Sequence, residues 1–231
     1  PNQTKFPMKN ASIRFFVFPQ RLDLDQSSVH YFYANSLLWL SFMEKSTQLK
    51  ADNGLKIVVY GPESTGKTTL TKALAKHYQS EWVPEFARTF LQEKWDRQQE
   101  VCSLEDLITI ARGQLKEEQR AAQKTNDLLF CDTNLLETKV YSEVYYNGFC
   151  DPTINHYAKK NYYSLYFLCD IDVPWVGDDL RDKPNERKKM FSAFEGALQN
   201  LELPYFILSG SKSDRLKNAV NHINQLLTTK I

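Results

Sequence analysis

No uninterrupted apolar run in this sequence approaches the ~20 residues needed to span a bilayer, and the N-terminal residues lack the basic, apolar and small-residue order of a signal peptide. Membrane insertion is therefore not expected. An excess of one charge is also missing: 29 Lys and Arg stand against 28 Asp and Glu, a formal net charge of +1. Nothing in that balance favours general attraction to nucleic acid or to a membrane surface. Metal-type cysteine spacing is absent too, because Cys102, Cys131, Cys150 and Cys169 form no C-x-x-C pair and have no histidine at zinc spacing. Cys131 and Cys169 lie in or at the end of apolar runs and read as buried free thiols, which suits a reducing cytoplasmic compartment. There is no repeat or low-complexity segment, and no signal for an oligomeric state.

At 231 residues the chain can bury a good core as one domain, with or without an appendage. Residues 1–42 differ from the rest. They begin with Pro1, carry aromatic clumps such as Phe15-Phe16-Val17-Phe18 and Tyr31-Phe32-Tyr33, and show no sustained period. The expectation is an N-terminal extension at 1–42, translated from upstream or poorly ordered, with Met43 as the natural start of a domain at 43–231. The rival reading is a docking segment whose aromatics cover an apolar surface. A chain beginning at Met43 that failed to fold or bind nucleotide would contradict the first.

What the sequence does contain is Gly61-Pro62-Glu63-Ser64-Thr65-Gly66-Lys67-Thr68-Thr69, which fits the phosphate-binding pattern G-x-x-x-x-G-K-[ST]. The β-branched run Leu55–Tyr60 precedes it. Leu70, Ala73, Leu74 and His77 follow at helical spacing. The two glycines allow backbone N–H groups to turn inward around phosphate oxygens, and the following helix adds the positive end of its dipole. Lys67 is then expected on the β- and γ-phosphates of ATP and Thr68 on Mg²⁺. Further strands are predicted at Glu81–Val83, Leu128–Cys131, Leu165–Cys169 and Pro204–Leu208. Helices are expected from about Glu85, from Ser103 with an Asp106 capping box, from about Asn134 to the Asn147-Gly148 turn, and from about Asp214 to Leu227. This alternation predicts an α/β three-layer sandwich: a five-stranded parallel sheet with helices on both faces.

Placed on that frame, the polar residues suggest chemistry. Asp132 follows an apolar strand at the carboxyl edge of the sheet, where it either orients Mg²⁺ or caps a helix. Glu85 and Arg88 stand one turn apart, facing either an acceptor beside the γ-phosphate or solvent as a surface pair. The segment 170–187, rich in Pro, Gly and charge, reads as a lid in which Arg181 and Arg187 close on phosphates, or as a solvated loop. Gly210 and Ser211, past the last strand, stand where a loop approaches adenine or simply turns.

Four of these segments together, Gly-Pro-Glu-Ser-Thr-Gly-Lys-Thr-Thr, Pro-Glu-Phe-Ala-Arg, Cys-Asp-Thr-Asn-Leu-Leu-Glu-Thr and Trp-Val-Gly-Asp-Asp-Leu-Arg, resemble the ribosylnicotinamide kinase domain of NadR-type NAD-salvage proteins. The resemblance runs from about Leu55 to the C-terminus. It implies a nucleoside-kinase-like P-loop fold that uses ATP to phosphorylate the ribose 5′-hydroxyl of nicotinamide riboside. It also implies that residues 61–69 bind ATP, that Glu85 and Arg88 face the substrate, that Asp132 serves Mg²⁺ or the hydroxyl, and that Arg181 belongs to the lid. Trp175, like Trp82, stacks on a ring or packs. Multifunctional relatives carry an H-x-G-H adenylyltransferase motif, which His30, His77, His156 and His222 do not form. Asn134 stands where relatives carry an acid. A kinase for another small acceptor and a nucleotide-dependent switch acting on a protein or lipid partner stay open.

Overall fold

The computed structural model describes residues 54–229 apart from 126 and 182–183. The extension at 1–42 and the Met43 start therefore lie outside the described residues. Five strands, β1 (Leu55–Tyr60), β2 (Glu81–Val83), β3 (Leu128–Asp132), β4 (Leu165–Cys169) and β5 (Tyr205–Leu208), form one all-parallel sheet in the order β2-β3-β1-β4-β5. Seven helices connect and flank them: α1 (Lys67–Tyr78), α2 (Phe86–Gln98), α3 (Asp106–Ala122), α4 (Leu135–Tyr145), α5 (Pro152–Lys160), α6 (Arg187–Asn200) and α7 (Lys212–Thr229).

The apolar run in β1 is continuous because both of its faces are buried. Ile57 and Val59 join Leu74 of α1 and Ile223 of α7 in one layer. Val58 and Tyr60 join Leu136 and Val140 of α4 and Phe194 of α6 in the other. A third cluster, including Leu107, Leu115, Leu135 and Tyr157, seats α3, α4 and α5 together. With β1 between β3 and β4, the carboxyl ends of the central strands open a crevice of the type that receives ligands in such sheets. Among the described residues no helix is long and apolar enough to cross a membrane.

Some boundaries differ from the sequence reading. Ser103 and Asp106 do exchange capping bonds, Ser103 N donating to Asp106 Oδ2 at 2.7 Å and Asp106 N to Ser103 Oγ at 3.4 Å, but the helix proper starts only at Asp106. Helices α5 and α6 were not anticipated. Asp151 caps α5 by accepting from Thr153 N and Ile154 N, with Pro152 at the first position.

One packing contact sets the position of the functional edge. A Cβ on Gly113 of α3 would stand 2.2 Å from Phe86 Cε1, so the ring at the start of α2 lies directly on the α3 backbone. Phe86 N also donates to Gln114 Oε1 at 2.9 Å. Gly113→Ala is expected to push this ring out, lowering stability by about 1–3 kcal/mol in urea unfolding and displacing the neighbouring Glu85. Unchanged stability in this variant would contradict the packing.

Candidate active site

The phosphate loop has the left-handed turns its glycines permit: φ is 134° at Gly61 and 85° at Gly66, and Ser64 also adopts a positive φ of 56°. A Cβ at Gly61 would meet Cys169 O at 3.1 Å and Cys169 N at 3.3 Å, so only glycine brings the loop this close to β4. Thr65 Oγ1 donates to Pro62 O at 2.7 Å and stiffens the turn. Lys67 folds over the loop, its Nζ donating to Gly61 O at 2.7 Å and Pro62 O at 3.0 Å.

Lys67 also lies 3.2 Å from Glu137 Oε1, and both side chains are buried. Burial works against the lysine's charge, but Glu137, Glu85 and Asp132 outweigh it, so its pKa is raised. The carboxylates pay for this crowding. Burial, then its carboxylate neighbour Glu85, pushes Asp132 up to about 6, against the opposing pull of Thr68 and Lys67. Glu137 is pushed up as well, first by burial and then by Glu85 and Asp132, with Lys67 opposing. Burial and the neighbouring carboxylates thus work against ionising Asp132 and Glu137 together.

Asp132 ends β3 and accepts from Thr68 Oγ1 at 2.5 Å through Oδ2, while its buried Oδ1 has no hydrogen-bond partner. Asn134, two residues on, caps α4 through Oδ1, accepting from Leu136 N and Glu137 N. Capping at this edge thus belongs to Asn134 and leaves Asp132 facing Thr68.

The segment after β4 lies on the phosphate loop. Val176 N donates to Ser64 Oγ at 2.8 Å, and Arg187 Nη1 and Nη2 donate to Val173 O and Ser64 O at 2.8 and 3.5 Å. Arg88 turns both Nη atoms to Asp178, at 3.2 and 2.5 Å, so its partner is the loop rather than Glu85. Arg181 donates to Val176 O at 2.6 Å and lies 3.3 Å from Asp178 Oδ2.

Between the phosphate loop, the segment after β4 and the helices lies a chamber of about 440 Å³. Residues 63–69, Glu85, Arg88 and Arg181 all line it. Gly61, Pro62 and Asp132 adjoin it through the bonds to Lys67 and Thr68. Arg187 and Trp175 are not among its lining residues; the guanidinium carbon of Arg187 stands 5.8 Å from the Trp175 ring centroid, behind the loop. Gly210 and Ser211 are also set apart, their N–H groups committed to Asp172 Oδ2 at 2.5 Å and Asp214 Oδ2 at 3.1 Å.

Several residues here were not singled out from sequence. Buried Arg215 donates to Thr65 O at 2.7 Å, to Gly210 O and Asp170 O at 3.1 Å, and to Asp172, tying the phosphate loop to the ends of β4 and β5. Gln114, Glu137 and Tyr141 line the chamber, and Asp178 of the segment after β4 accepts from Arg88. Glu137 carries a misleading signal, since a glutamate three residues after Asn134 reads as a capping-box partner. The structure spends it on Lys67 instead.

Curated relatives and solved structures resemble this chain in part. Over 125 residues the chain is 26% identical to the trifunctional NAD biosynthesis/regulator proteins NadR of Salmonella typhimurium and Escherichia coli, which covers 54% of this chain and only 30% of theirs. A NadR protein crystallised in complex with NR superposes with a TM-score of 0.63 at 18% identity, covering 85% of this chain and 57% of that one. Thymidylate kinase from Ehrlichia chaffeensis superposes at 0.53 with 14% identity, covering 76% of this chain and 99% of that one. At those identities the likeness speaks for the fold, a P-loop kinase-like sandwich. The profile of the AAA domain family matches residues 56–215, well over half of the sequence, running from within β1 to Arg215, and the chain belongs to that family.

Proposed function

We propose that this protein is an ATP-dependent kinase of a small nucleoside-like acceptor, with nicotinamide riboside phosphorylated at its ribose 5′-hydroxyl as the leading reaction. The observation that carries the reading is that one chamber holds both the phosphate loop and a wall of apolar and aromatic side chains, including Leu91, Ile110, Tyr141 and Tyr146. Glu85 lines the same chamber, close enough to Lys67 and Asp132 to perturb both. In this reading Lys67 and the loop N–H groups bind the ATP phosphates, Arg181 closes over them, and Glu85 receives or orients the acceptor hydroxyl.

The partnerless, buried Asp132 Oδ1 beside Thr68 Oγ1 suits a hard cation with oxygen ligands. Thr68 and Asp132 are the residues to hold Mg²⁺, which neutralises charge on the β- and γ-phosphates when bound. The nicotinamide ring of the riboside is cationic, and the chamber lining, with the acids Glu63, Glu85, Glu137 and Asp179 against the bases Lys67, Arg88 and Arg181 and with tyrosine rings in its wall, suits a cation. Another nucleoside would use the same machinery. A nucleotide switch would use the loop and the lid but has no need of the chamber. ADP release separates the two: a kinase releases it only with acceptor present, and steady acceptor-independent release would count for the switch.

A further inference from the structure

The sheet has two edges, and they are built differently. β2, at one edge, is three residues long, begins with Glu81 and runs directly into Pro84. Charges and prolines of this kind keep an exposed strand from pairing with another chain. β5, at the other edge, reads Tyr205-Phe206-Ile207-Leu208 and contains neither. Among the described residues it pairs only with β4, and two of its side chains face solvent, Phe206 at 41% exposure and Ile207 at 45%. Both faces of this edge are held in place. The Phe206 ring stacks on His222 of α7 with centroids 3.5 Å apart, and on the opposite face Tyr205 donates to Glu195 Oε1 of α6 at 3.1 Å.

The register decides what such an edge can receive. Tyr166 N donates to Pro204 O and Asp170 N to Leu208 O, both at 3.0 Å, so the even-numbered residues of β5 turn their backbone groups to β4. Tyr205 and Ile207 therefore present N–H and C=O outward, one on each side of Phe206. That arrangement is self-complementary. A second strand of the same sequence, laid antiparallel about a two-fold axis through Phe206, sets Tyr205 opposite Ile207 of the partner subunit at both ends, and each such pair exchanges both of its backbone hydrogen bonds. The two Phe206 rings then meet as a directly opposed aromatic pair. Asn218 and Gln225, four residues before and three after His222 on the same helix face, are uncharged, so the two copies bring no like charges together there. We propose that the β5 edge is a homodimer interface, through which two copies of this chain join their sheets into one continuous sheet.

Analytical ultracentrifugation of the full chain tests this, across a dilution series reaching about 1 mM, where a millimolar contact is half formed. The mass at the upper end is expected to approach twice the 26.9 kDa of one chain. Ile207→Pro deletes only an outward N–H and leaves the ladder to β4 complete, while Phe206→Lys sets two positive charges face to face at the axis. Each should raise the dissociation constant at least about tenfold. Circular dichroism checks that both fold, and if Ile207→Pro does not, Phe206→Lys carries the comparison. The register has its own readout. Under mild oxidant Phe206→Cys should give a disulfide-linked dimer, because the opposed residues of that pair stand about 4.5 Å apart at Cα. Ile207→Cys, opposite a tyrosine, should link no more than the wild type with its free cysteines. A chain that stays monomeric throughout, as residues 1–53 seated on the same edge would make it, overturns the proposal. So does a dimer that no folded variant weakens, or one that links equally well through either cysteine substitution.

Discussion

Lys67→Ala should reduce ATP-dependent product formation by about a thousandfold or more, since it removes the cation aimed at the phosphates in a largely buried site. The same change should alter stability in a pH-dependent way. Losing one partner of a buried pair typically costs about 3–5 kcal/mol, here offset in part because Glu137 can take up a proton. The folded pKa of Glu137 is raised above its unfolded value of about 4.3. Below that pH both states are protonated and there is no penalty. As pH rises past it, the unfolded chain releases the proton while the folded chain retains it, so stability falls toward neutrality. Without Lys67 the fall should steepen. Adding Glu137→Gln to Lys67→Ala should flatten it without restoring activity. Urea unfolding at acid and neutral pH reads this directly, and a Lys67→Ala protein as active as wild type would refute the assigned role.

Glu85→Gln is the second large expectation: turnover should fall by about a hundredfold to ten-thousandfold with ATP binding retained, as for loss of a positioned general base. Asp132→Asn should act differently, raising the Mg²⁺ concentration needed for half-maximal rate. The separation rests on placement. Glu85 lines the chamber, whereas Asp132 spends one oxygen on Thr68. If Asp132→Asn leaves metal dependence unchanged while Glu85→Gln leaves turnover unchanged, the two roles are reversed.

The strands and the phosphate loop were legible because their signals are local. β1 is uniformly apolar since both faces are covered, and Gly61 and Gly66 sit where the backbone takes positive φ. Helices α5 and α6 escaped for different reasons. α5 announced itself through Asp151-Pro152 and the spacing of Ile154, Tyr157 and Ala158, a short pattern overlooked next to a turn. α6 begins with Arg187, Lys188 and Lys189, which prolong the charged segment. Met190, Phe194 and Leu198, spaced as one buried stripe, mark it as a helix.

The candidate site was legible around the phosphate loop and much less so along the opposite wall of the chamber. Asp132 ends β3 and Glu85 stands two residues past β2, where topology alone sends them to the crevice. Gln114 and Tyr141 lie within helices and Glu137 in the first turn of α4, and their shared place on the chamber depends on the packing of α3 against α4, which no local pattern encodes. Arg215 is invisible for the same reason: it lies in the last helix yet binds Thr65 of the loop. Arg88 shows the limit of spacing arguments, since its true partner Asp178 lies in a different segment from the nearby Glu85.

The central claim is phosphoryl transfer to a nucleoside-like acceptor, and mass spectrometry of a reaction containing ATP, Mg²⁺, nicotinamide riboside and the full chain tests it most directly. The prediction is a product heavier than the riboside by one phosphoryl group, formed in equal amount with ADP and missing from the Lys67→Ala reaction. ADP formed at a steady rate with no phosphorylated product from nicotinamide riboside or any other nucleoside would contradict it.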